Sequence, residues 1–254
     1  MKRGPDFRMN LKIVGSGSKG NAYVLETDTG SLMLECGLPF KKIQQALRFS
    51  LTDVQGCILS HSHNDHSRCT KEVMKAGIDV YMTTETATAI KAEGHRLNVI
   101  EVGKQFEAGD FIVLPFPTEH DAPGAVGYLI YYKPTGERVL FVTDSYFIRN
   151  RFNNLNYVLC ECNFCKDTLD ENIKAGTIDQ GMKNRLLESH FSLEHVKEFL
   201  SANDLRHGRK IVLLHLSDAN SDAERMVDEI QRLTGIDTEI ADAGKNIELE
   251  MYPF

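Results

Sequence analysis

The chain has 254 residues, of which 42% are hydrophobic and 26% charged, and its 36 acidic against 29 basic side chains leave a formal net charge of −7. A folded chain of this length buries roughly 73% of its unfolded surface, so it needs no staples, and its composition excludes disorder, collagen and coiled coil. It carries no basic sheath for nucleic acid, but two divalent cations in one site add a local charge of about +4 that the tally omits, so a phosphate substrate stays open.

No stretch approaches the ~20 apolar residues of a membrane helix, and the start has no apolar core, which predicts a cytoplasmic protein. Residues 1–9 read as a flexible leader and 10–254 as a single domain without repeats or linkers. Short strands are expected at Asn10–Val14, Ala22–Glu26, Leu32–Glu35 and Cys57–Ser60, with a helix at Phe40–Arg48. A helix over Arg68–Lys75, a strand at Val80–Met82 and a helix from about Thr84 follow. Strands return at Phe111–Pro115, Gly127–Tyr132, Arg138–Thr143 and Tyr157–Glu161. The last third begins with Ser192 as the N-cap of a helix whose apolar stripe is Leu193, Val196, Phe199 and Leu200. A strand at Lys210–Leu214 and a helix at Asp222–Leu233 complete the pattern. Two runs of strands, each accompanied by helices, suggest an α/β fold layered as an αββα sandwich.

The six cysteines, Cys36, Cys57, Cys69, Cys160, Cys162 and Cys165, lack the spacing of a disulfide framework. Val158, Cys160 and Cys162 alternate along an apolar run and read as buried strand positions. Half of a zinc site is the alternative, but no second cysteine or histidine pair stands at suitable spacing.

The densest chemistry lies in His61-Ser62-His63-Asn64-Asp65-His66, which follows the apolar run Gly56–Leu59 and precedes a helix. In an extended segment residues i and i+2 project to one side, so His61 and His63 can grip one cation as neutral imidazoles. Asp65 and His66, at the helix start, turn toward a neighbouring position. Two metals ~3.5–4 Å apart can share a bridging hydroxide of near-neutral pKa, which is then the nucleophile. A solvated surface turn has no need of three imidazoles beside an aspartate at a strand end.

With this cluster the chain resembles the metallo-β-lactamase superfamily over nearly all its length. Further matches are His120 in Pro117–Asp121, Asp144 in Phe141–Ser145 and His215 in Leu213–Ser217, each after an apolar run. The resemblance implies His61, His63 and His120 on one metal, Asp65, His66 and His215 on the other, and Asp144 bridging them. A narrower similarity, to the YycJ (WalJ) type of bacterial nuclease-like proteins, rests on Gly15–Asn21, Glu161-Cys162-Asn163, Ser189–Ser192 and His215–Ser217 with Asn220. It implies a metal-dependent phosphodiesterase acting on nucleic acid, with a four-layer sandwich fold.

Two departures stand out. Glu35 occupies a position where the superfamily carries an aspartate that braces the histidine loop without ligating metal. Phe164-Cys165 follows Asn163 where a histidine and an acidic residue are usual.

The turn Gly15–Asn21 offers backbone N–H groups and Lys19 to a phosphate, or is simply a tight turn that needs glycine. Ser18, Lys19, Asn21 and Asn163 are the candidate substrate contacts. His190 is either a capping residue or, by the resemblance, the acid that protonates the leaving alkoxide. Asp65 is both a ligand and a candidate for orienting the attacking water. Asp121 adjoins a ligand and can orient a metal-bound histidine, whereas His95, His195 and His207 read as solvated.

The expected activity is therefore that of a phosphodiesterase, an exonuclease-like DNA or RNA nuclease, using two divalent ions such as zinc or manganese. Its partner is a nucleic acid or nucleotide, with no membrane. A small-molecule hydrolase on the same fold (a cyclic-nucleotide phosphodiesterase, lactonase or thioesterase) and an inactive binding module are the alternatives. Oligomeric state leaves no mark in the sequence.

Overall fold

The computed structural model describes residues 9–249. Met9, placed at the end of the expected leader, instead opens the first strand and is buried. Residues 1–8 of that leader lie outside the described residues.

The first sheet is built from β1 (Met9–Gly15), β2 (Ala22–Thr27), β3 (Gly30–Leu34), β4 (Val54–Ile58), β5 (Val80–Thr83) and β6 (Leu97–Ile100). The second holds β7 (Phe106–Ala108), β8 (Phe111–Pro117), β9 (Val126–Tyr132), β10 (Glu137–Val142), β11 (Tyr157–Glu161), β12 (Lys210–Leu214) and β13 (Asp237–Ile240). A last strand, β14 (Asn246–Glu248), returns to the first sheet beside β1, giving two seven-stranded sheets. Helices α1 (Phe40–Ala46), α2 (Asn64–Ser67), α3 (Thr70–Lys75) and α4 (Thr84–Ala89) interrupt the first sheet. Helices α5 (Lys166–Lys174), α6 (Gln180–Ser189), α7 (Leu193–Ser201) and α8 (Ala223–Thr234) interrupt the second.

The layering follows from the period-two alternation of the strands. Leu11, Ile13, Tyr23 and Leu34 of the first sheet pack with Val113, Tyr128, Phe141, Leu159 and Val212 of the second in one core between the sheets. The opposite faces of the strands build two outer cores. Val24, Met33, Cys57 and Val80 pack under Ile43, Val73 and Ala87 of α1, α3 and α4. Leu140, Val158, Cys160 and Ile211 pack under Val196, Phe199, Met226 and Ile230 of α7 and α8. Three cores separate four layers, in the expected αββα order.

All six cysteines are free and buried. Ser192 caps α7, its side chain accepting from the His195 N–H. The helix expected at Arg68–Lys75 is α3, which starts two residues later at Thr70, and the short α2 precedes it; the Ser67 and Thr70 hydroxyls bond back to the carbonyls of His63 and Ser67 at the break between the two. Strands β6, β7, β13 and β14, of three or four residues each, sit at or near sheet edges and are partly exposed, so their sequence carries little alternation. No helix among the described residues is long and apolar enough to cross a membrane.

Both sheets contain parallel runs, β3-β4-β5-β6 and β10-β11-β12-β13. The C-terminal ends of β3, β4, β8, β10, β11 and β12 carry the chemistry identified in the sequence. Two bonds between the sheets hold these ends together: Val126 N–H donates to the Ser60 carbonyl at 3.0 Å and Tyr128 Oη to that of Leu59 at 2.5 Å.

Candidate metal centre

The ligand candidates stand past strand ends: His120, Asp144 and His215 follow β8, β10 and β12, and His61 to His66 lie on the loop that leaves β4 and runs into α2. Three strand exits adopt left-handed backbone: Glu35 (φ 64°), Asp144 (φ 43°) and His215 (φ 52°). Such geometry in non-glycine residues costs on the order of 1–3 kcal/mol each and persists where the surroundings over-determine it.

The histidine loop is held from behind by the turn after β1. Asn21 N–H donates to the Asp65 carbonyl at 2.7 Å, and Cys36 N–H donates to that of His66 at 2.8 Å. Gly37 lies so close that a Cβ there would meet the Asp65 carbonyl oxygen at 1.6 Å, so only glycine permits the approach. Glu35, fully buried, accepts from Ser60 N–H at 3.1 Å with one oxygen and points the other at His66 Nδ1, 3.7 Å away. Its longer side chain thus reaches both the loop backbone and the ring.

Around Asp144 the candidate ligands fall into three groups, each with one nitrogen or oxygen per residue within 4.8 Å of the others. The first is His61, His63, His120 and Asp144, the second Asp65, His66 and Asp144, and the third Asp144, Glu161, His190 and His215. Asp144 is common to all three. His215 groups with Asp144, Glu161 and His190, its Nδ1 2.5 Å from Asp144 Oδ1, and its ring also stands edge-on to that of His66 with 5.7 Å between centres.

The donor set suits a cation. His61 Nε2 is buried without a hydrogen-bond partner, 3.8 Å from Asp144 Oδ2. Burial, reinforced by His66, pushes His61 well below the usual imidazole range, so it is neutral, the form that ligates. Burial likewise lowers His120, whose Nδ1 donates to the Ser189 carbonyl at 3.0 Å and leaves Nε2 toward the cavity. Burial opposes charge on both Asp144 and His66, but the histidines His215 and His66 lower Asp144 and Asp144 in turn raises His66, a proton that a cation bound here would displace, since imidazole ligates only in its neutral form. Burial also raises Asp65, and its contact with His66 outweighs that and lowers it. Imidazoles with carboxylates are the ligands of zinc, manganese and iron sites. Together with the fold, this cluster marks a divalent metal site.

Glu161, at the end of β11, was not among the site residues expected from the sequence, although the signal that marked Asp144 and His215, a polar residue closing an apolar strand, applies to it equally. It is fully buried and accepts from Ser145 N–H, Phe191 N–H and Asn163 Nδ2. Its Oε1 lies 2.6 Å from His190 Nδ1. Burial lowers His190, but this carboxylate prevails and pushes it up to about 9.

The remaining candidates separate. Ser18 is exposed and, with His63, Asp65, His120, Asp144, His190 and His215, lines a cavity of about 230 Å³; Asn163 lines an adjoining one of about 550 Å³. Lys19 lines neither and pairs with Asp218 at 3.3 Å, both side chains almost fully exposed. Asn21 is buried, its side chain engaged by the Gly17 backbone and His66 Nε2. Asp121 lies 3.2 Å from His120 Nε2 and 3.5 Å from His63 Nε2.

Comparison with known proteins places this geometry. A protein of Streptococcus pneumoniae named exodeoxyribonuclease WalJ is 26% identical over 265 residues, spanning 97% of this chain and 94% of its own. Exodeoxyribonuclease YycJ of Bacillus anthracis is 23% identical over 159 residues, 58% of each chain. The crystal structure of the metallo-beta-lactamase fold protein YhfI from Bacillus subtilis superposes with a TM-score of 0.68 at 15% identity, covering 95% of this chain and 99% of that one. Residues 15–170, which include β2 to β11, the histidine loop, His120 and Asp144, match the family described as the metallo-beta-lactamase superfamily, and the chain belongs to it.

Proposed function

We propose that the protein is a metal-dependent phosphodiesterase that shortens nucleic-acid strands from an end. The observation that carries this reading is Asp144, shared by every ligand group of the cluster, in a chain similar over 97% of its length to a protein named exodeoxyribonuclease. His61, His63 and His120 would hold one divalent ion and Asp65, His66 and His215 a second, with Asp144 facing both; zinc and manganese suit this donor set. When bound, the ions supply Lewis acidity to a phosphoryl oxygen and lower the pKa of water.

The protein's own groups do the rest. Asp65, half-buried on the cavity wall, orients the attacking water and takes its proton. Glu161 occupies His190 Nδ1, so Nε2 is the nitrogen left to give a proton to the departing oxygen. Glu161 is thereby a positioning residue, fixed by two backbone N–H groups. Glu35 and Asn21 hold the histidine loop, and Ser18 lines the cavity that would receive the phosphate.

The test is hydrolysis by the metal-reconstituted protein of end-labelled single-stranded DNA and RNA, cyclic mononucleotides and bis(p-nitrophenyl) phosphate, with His61→Ala as control. Stepwise shortening of the labelled strand that His61→Ala abolishes is the expected result. Cleavage of the small diesters alone would replace the nuclease with a small-molecule phosphodiesterase. Full activity in His61→Ala would remove the metal centre from the mechanism.

A further inference from the structure

The cavity at the candidate metal centre opens into the larger one of about 550 Å³, and the two share Ser18, Arg185, His190 and His215. We propose that the larger pocket is the subsite for the terminal nucleoside of a strand and that Arg185, at the junction, binds the phosphate joining that nucleoside to the rest. The proposal rests on the nuclease reading and specifies where its substrate lies.

Arg185 is the one Arg or Lys among the described lining residues of either cavity. It projects from α6 with 73% of its side chain exposed, and its one ion pair among the described residues, Nε to Asp121 Oδ2, is at 4.0 Å. The guanidinium fork is therefore open, and its planar N–H pair matches two phosphate oxygens.

The body of the larger pocket has a different character. Its volume falls within the roughly 300–1,000 Å³ of small-molecule sites. Ile178, Leu186 and Leu216 offer apolar walls to a sugar and base. Beyond Arg185 and the histidines, the one ionisable residue among its described lining residues is Asp218, which is exposed and paired with Lys19. Asn163, 5% exposed on the pocket wall, gives its Nδ2 hydrogens to Glu161 and the His215 carbonyl, which fixes the amide's orientation. Its Oδ1 has no partner and is buried, an acceptor left for a sugar hydroxyl or a base N–H.

Calorimetric titration of the metal-loaded full chain with inorganic phosphate and with deoxyadenosine 5′- and 3′-monophosphates tests the assignment. The better of the two nucleotides is expected to bind at least about ten-fold more tightly than phosphate. Arg185→Ala should weaken both by about 10- to 100-fold, as loss of a charged hydrogen bond does, and Arg185→Lys should restore only part. Ala219→Trp, which narrows the pocket at an exposed position, should erase the nucleotide's advantage over phosphate. Equal affinity for nucleotide and phosphate, or unchanged affinity in Arg185→Ala, overturns the proposal. Strand shortening assayed on the same preparations separates it from the reading it rests on. A shortened strand with no nucleotide preference removes the subsite and keeps the nuclease. Arg185-dependent nucleotide preference without shortening keeps the subsite and removes the nuclease.

Discussion

The space between the two sheets and the floor of the candidate metal centre are equally buried and made of opposite chemistry. Leu11, Tyr23, Phe141, Leu159 and Val212 are at most 1% exposed and form an apolar core, with Tyr23 and Phe141 edge to face at 6.0 Å. Glu35, His66, Asp144 and Glu161 are at most 3% exposed, and each meets an opposite charge or a hydrogen-bond donor. Burial in the first region stabilises by about 25 cal/mol per Å² of apolar surface. In the second region burial of ionised groups costs stability and is tolerated because the groups compensate one another. The left-handed exits at Glu35, Asp144 and His215 add to that cost. One end of the molecule is thus optimised for binding and held in place by the other.

Asp144→Ala is expected to have the largest effect, a fall in cleavage on the order of 10³-fold or more, because it touches every ligand group. Wild-type protein should melt at a lower temperature after chelation, and the variant should lose that difference; a chelator shift of wild-type size in Asp144→Ala would break the comparison. Phe141→Ala is the counterpart in the core and should lower the denaturant-derived stability by about 3–5 kcal/mol, by the same amount with and without chelator.

Glu161→Gln and His190→Ala should each reduce kcat by about 100-fold with metal content intact, and the double variant should be no slower than either, since the pair acts as a unit. Additive losses would separate the two roles. Glu35→Asp withdraws the carboxylate from Ser60 and His66, and a competitive chelator titration should show metal affinity reduced about 10-fold. Lys19→Ala should change unfolding free energy by less than about 0.5 kcal/mol, because its partner Asp218 is as exposed as itself. A ten-fold rise in KM for the strand in that variant would return Lys19 to the substrate side.

Much of this was legible because it is local. The hexad from His61 to His66 needs no tertiary structure to be recognised, since chain connectivity alone brings its imidazoles and carboxylate together. His120, Asp144 and His215 announce themselves by closing apolar strands, and Glu161 carries the same mark. The pairing of Glu161 with His190 was not legible, because 29 residues and two helices separate them. Nor was the placement of Asn21, a polar residue in a glycine-rich turn whose side chain turns inward to His66.

The sequence by itself determined the layered order of strands and helices and the residue types gathered at their ends, because period-two alternation and strand-terminal polarity are properties of short segments. Only the tertiary structure decided which of those ends meet. His215 N–H reaches Ser16 Oγ across 199 residues, and Arg185 stands at the junction of two cavities that no single segment encloses. A site built between two sheets is set by how the sheets pack, and packing is a relation between segments that no segment carries alone.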